Sequence, residues 1–109
     1  MIMKSVNTNN SVSSLISRMS ANDMNAVLLG AKSDIPILNL NAVIFGAKSR
    51  CTSPEFIELL KTKMLDSGVS FMGMPLESFA TAALDVLGVQ EYNGTDDFIC
   101  KLISSGFNL

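Results

Sequence analysis

Apolar side chains recur at three- and four-residue intervals through most of the chain, the spacing of one face of a helix. Val12, Leu15, Ile16 and Met19 set the first such face, with Ser11 or Ser13 before it as a cap. Met24, Val27 and Leu28 set the next, and the intervening Ser20-Ala21-Asn22-Asp23 resembles a capping arrangement. The region reads either as one helix over 12–29 or as two short helices bent near Ser20. The second reading is preferred, with Gly30 as the stop.

Residues 34–49 break the pattern. Pro36 suits a first helical turn and Asp34 a cap. Yet Leu38, Leu40, Ala42 and Ile44 alternate with Asn39, Asn41, Val43 and Phe45, a period of two. Two Asn side chains inside a helix would compete for its backbone. A strand over 37–45, paired with Val69–Met72 or completed by a second copy, stands beside a buried helix over 36–45.

Ser53-Pro54-Glu55 is the clearest boundary: a cap, a proline at the first helical position and an acid at the positive helix end. Phe56, Ile57, Leu60 and Met64 form the face behind it, Leu59 widens it, and Gly68 ends it. Met72-Gly73-Met74-Pro75 reads as a loop. Pro75 then opens a helix through Leu76, Phe79, Ala80, Ala83, Leu84 and Leu87, ending at Gly88. The alanines at 80, 82 and 83 allow a second helix to come close. Asn93-Gly94 is a turn, Thr95 a cap, and Asp96 and Asp97 occupy the first turn of a helix whose face is Phe98, Ile99, Leu102 and Ile103. Gly106 closes it, and Phe107 and Leu109 either fold back on the core or dock on a partner. The pattern predicts a mainly α fold. It is a small single-domain helical bundle over 11–109 behind a flexible leader at 1–10, with the option of one short strand or hairpin (37–45 with 69–72).

Composition narrows the function. Apolar residues are 48% and charged residues only 17% of the 109 positions, below the roughly 25% usual in soluble domains, so part of the surface is available as an interface. Residues 1–53 carry five basic and two acidic side chains, a net +3. Residues 54–109 carry three and eight, a net −5, which argues against a phosphate-backbone footprint there. There is no His, the commonest base and metal ligand near neutral pH, and no cofactor or metal motif. Cys51 and Cys100 read as small buried hydrophobes, or as one disulfide in an exported chain. Neither Cys51 nor the Asp96-Asp97 pair has a catalytic partner at a meaningful spacing, so no enzyme activity is expected.

Seven methionines are the most unusual count, and Met suits adaptable contact surfaces. Phe71, Met72 and Met74 are therefore the leading candidate contact residues, with Tyr92 and Phe107 beside them. The expected function is a small protein-binding module: an adaptor, regulator, inhibitor or chaperone acting on a protein partner or on a second copy of itself as a homodimer. It is expected in the cytoplasm, without membrane insertion. A Ser/Asn-rich start supports the alternative of a bacterial effector exported without a cleavable signal, or a phage or plasmid accessory protein. A helical nucleic-acid-binding regulator is the remaining alternative and requires Arg18, Lys32, Lys48 and Arg50 to converge.

Overall fold

Six helices and one hairpin make up the described part of the chain, residues 11–65 and 68–108 of a computed structural model. The expected leader at 1–10 lies outside the described residues. The elements run α1 (Val12–Ser20), α2 (Met24–Lys32), α3 (Pro36–Lys48), α4 (Pro54–Lys61), β1 (Ser70–Phe71), β2 (Met74–Pro75), α5 (Leu76–Val86) and α6 (Asp97–Ser105). The fold is mainly α, as the periodicity requires. α3 packs against α1, α2 and α5, and α5 in turn packs against α3, α4 and α6. Met19, Val27, Leu38, Val43, Phe56, Leu60, Phe79, Leu84 and Ile99 fill one contiguous core. Ala80, Ala82 and Ala83 are all buried on α5, where their small volume lets it sit among three other helices.

The N-terminal region folds as two helices. Ser11 caps α1 by accepting from the Ser14 amide. Asp23, and not Ser20, caps α2, accepting from the Asn25 and Ala26 amides. Gly30 does not stop α2. It lies buried inside that helix, where a Cβ would collide with Met19 and crowd the Leu38 carbonyl. The lack of a side chain there permits the close approach of α1 and α3. Gly46 serves the same end in α3, against the ring of Phe56.

The strand over 37–45 is corrected to the middle of α3, and of 69–72 only Ser70–Phe71 forms a strand, paired with Met74–Pro75. α3 is covered by α1, α2 and α5, so its apolar positions need not follow one face, and the period-two alternation carried no information. The two asparagines that argued against a helix are both satisfied within it. Asn39 is buried, and its Nδ2 donates to the Gly30 and Ser33 carbonyls at 2.9 Å, closing the orphan end of α2. Asn41 donates back to the Ile37 carbonyl of its own helix.

Other local signals also moved. α3 has Ile35 as its cap residue with no side-chain bond, so Asp34 does not cap it. Ser53 makes no capping bond, and Pro54 and Glu55 open α4 without it. α4 ends at Lys61, short of Gly68, although Met64 still reaches the core. Asp96 caps α6 in place of Thr95, its Oδ1 accepting from the Ile99 amide at 3.1 Å. Cys51 is buried but Cys100 is exposed, and the two are free thiols. At ~100° per residue, position 100 points about 130° from the centre of the Phe98-Ile99-Leu102-Ile103 face.

Four helices close in one way. After α1, α3, α5 and α6 the backbone turns left-handed at Asn22, Arg50, Gly88 and Gly106. In each case that residue and its successor donate to carbonyls of the last turn: Arg50 to Ala47 and Cys51 to Gly46, or Gly106 to Ile103 and Phe107 to Leu102. These are Schellman closures, and their geometry is why Gly88 and Gly106 were readable as stops.

Candidate protein-contact site

The hairpin between α4 and α5 presents the most exposed large apolar side chain among the described residues. Phe71 pairs with Met74 and Ser70 with Pro75, leaving a two-residue turn at Met72-Gly73. Both turn residues have positive φ, +54° and +82°, the arrangement of a type I′ turn whose twist matches that of the strands. That turn favours Asn-Gly, because Asn tolerates the left-handed region and most other side chains lose about 1–2 kcal/mol in it. Here the first position is Met, and its side chain is 80% exposed.

Four non-glycine residues adopt positive φ among those described: Asn22, Arg50, Met72 and Phe107. Asn22 belongs to the tolerant type. Arg50 donates from its guanidinium to the Val86 carbonyl at the end of α5, across 3.1 Å. Phe107 buries its ring in the core beside Leu102, the apolar contact that accompanies a Schellman closure. Met72 is 80% exposed and, among the described residues, is not packed against the core, so nothing described there offsets its backbone cost.

Beside Met72 lies an open groove of about 410 Å³, lined by Met72 and Met74 from the hairpin and by Asp96, Asp97 and Phe98 from the start of α6. The volume is at the lower end of the roughly 300–1,000 Å³ of small-ligand sites, enough for one or two side chains. Phe98 is held from behind by an edge-to-face contact with buried Phe79, ring centroids 6.1 Å apart at 78°. Leu76 extends the hairpin ladder with a 2.7 Å bond to the Val69 carbonyl, so β2 continues directly into α5. Both walls of the groove are therefore seated on core helices.

The structure brings Met72 and Met74 together and leaves the other expected contact residues apart. Phe71 is half-buried against the core, opposite Met74 in the ladder but not lining the groove. Tyr92 is half-buried in the α5–α6 connection, where its amide donates to Asp85 and its ring lies over Gly94. Phe107 is inside the core, so the C-terminal segment folds back there. Phe98 lines the groove although the sequence pattern places it on the core face; its position at the edge of that face is the one signal for it.

The basic side chains of the N-terminal half are largely engaged within the chain. Arg18 pairs with Asp23 at 2.9 Å, and Lys32 pairs with Glu55. Arg50 bonds Val86, and Lys48 lies 5.7 Å from the Phe45 ring centre. The Arg18 guanidinium, with the Ala26 amide, holds the Asp23 carboxyl below its ordinary value of 3.8. Among the described residues no three His, Cys, Asp or Glu side chains cluster to hold a metal ion, and no helix is long and apolar enough to cross a membrane. Comparison with family models, curated proteins and solved structures finds no match to the chain.

Proposed function

We propose that this chain is a small helical protein-binding domain whose contact surface is the Met72 hairpin tip and the Met74–Phe98 groove beside it. One observation carries the reading: an exposed methionine occupies a turn position that disfavours it, and no packing against the core among the described residues offsets the cost. Backbone strain of this kind persists where it serves a site. Methionine is the side chain best able to adapt to a partner's shape, and burying one fully yields about 1.5–3 kcal/mol. The rigid seating of the groove through Phe98 and Phe79 supports the same reading, because a pre-formed site loses less entropy on binding.

Met72→Asn tests this directly, since it completes an Asn-Gly turn while removing the contact. In a native pull-down, the wild-type chain is expected to retain a stoichiometric partner that the variant loses, although the variant unfolds at no lower temperature. A partner that proves to be the chain itself makes the protein a homodimer through this face. Retention of every partner by the variant would overturn the reading.

A further inference from the structure

Resting on that reading, we propose that the groove takes a basic-apolar peptide segment of a protein partner, one with a Lys or Arg beside a large aliphatic or aromatic side chain. The argument is the charge of the groove set against its apolar floor. Among the described residues its lining is Met72, Met74 and Phe98 together with two carboxylates and no cation. Asp96 uses Oδ1 to cap α6, and Asp97 is exposed with no ion-pair partner among the described residues. Lys101 stands one turn along α6 but does not pair with Asp97 and does not line the groove. Elsewhere in this half of the chain, Lys63 is already engaged with Ser33 and Asp34.

The helix start by itself would attract an anion. Here Asp96 and Asp97 already occupy that position, so an acidic or phosphorylated segment meets two like charges. A segment carrying only charge leaves the Met and Phe surface wet, and one carrying only apolar groups buries the carboxylates without a partner, which is costly. The basic-apolar combination alone satisfies both parts of the lining.

The test is a selection of randomised peptides displayed against three intact baits: wild type, Met72→Asn, and the double variant Asp96→Asn/Asp97→Asn. Asn caps a helix about as well as Asp, so the double variant removes both charges and keeps α6. Wild type is expected to enrich Lys or Arg next to Leu, Met or Phe. A selected peptide should bind the double variant about tenfold more weakly by fluorescence anisotropy, with the difference shrinking as salt rises. Enrichment of acidic or purely apolar peptides, convergence on no motif, or equal binding to the double variant overturns the inference. The underlying reading is judged separately by Met72→Asn: if that bait returns the wild-type motif, the site lies elsewhere on the molecule.

Discussion

The corner after α3 and the tip of the hairpin face the same backbone problem and differ in how it is met. Arg50 and Met72 both turn left-handed, at φ +58° and +54°, and neither is a residue that favours it. Arg50 recovers the cost by reaching the Val86 carbonyl, where a cation also suits the negative end of α5. Met72 makes no comparable bond among the described residues and is 80% exposed. Equal strain with unequal compensation separates a structural joint from the surface proposed to meet a partner.

The largest effect that bears on this comparison belongs to Phe107, whose positive φ is offset by burial of its ring. Phe107→Ala should cost about 3–5 kcal/mol in chemical denaturation. A loss below about 1 kcal/mol would show that the ring is not what holds that turn. Arg50→Ala keeps the strained backbone and deletes the bond to Val86, so a cost of about 1–2 kcal/mol is expected. Arg50→Gly should recover about half of it by relieving φ. If both variants were as stable as wild type, the contrast with Met72 would vanish.

Met72→Asn should move the other way, stabilising by about 1 kcal/mol, which thermal unfolding would register as a higher midpoint. A lower midpoint would mean that the methionine does support the fold. The smallest effect concerns the α1–α2 corner. Asp23 has a depressed pKa through Arg18, so its contribution is present above the ordinary carboxylate range and fades as pH falls through the lower folded value. Asp23→Asn should flatten the acid limb of stability against pH. An unchanged limb would show that this pair does not contribute.

Much of the helical layout was legible because it is local. The faces of α4 and α6 each pack mainly on one side, so the apolar spacing at Phe56/Leu60 and Ile99/Leu102 survives in the sequence. Of the candidate site, Met72 and Met74 were legible as unusual residues in a loop. That Phe98 would join them, and that Tyr92 and Phe107 would not, followed from how the α5–α6 connection and the last turn fold back.

What the sequence determined by itself was a mainly α chain, the break between α1 and α2, the left-handed stops at Gly88 and Gly106, and the acidic character of the C-terminal half. Each follows from interactions within a few residues or from composition. Tertiary structure alone decided that 36–48 is a helix, because burial by α1, α2 and α5 erased the periodicity that would have marked it. It also decided that Gly30 is a contact and not a stop, since its role depends on Met19 and Leu38. And it decided that Met72 faces water in a strained turn. Register and twist in a two-residue hairpin set that direction, and that none of the described core packs over it is visible only once the chain is folded.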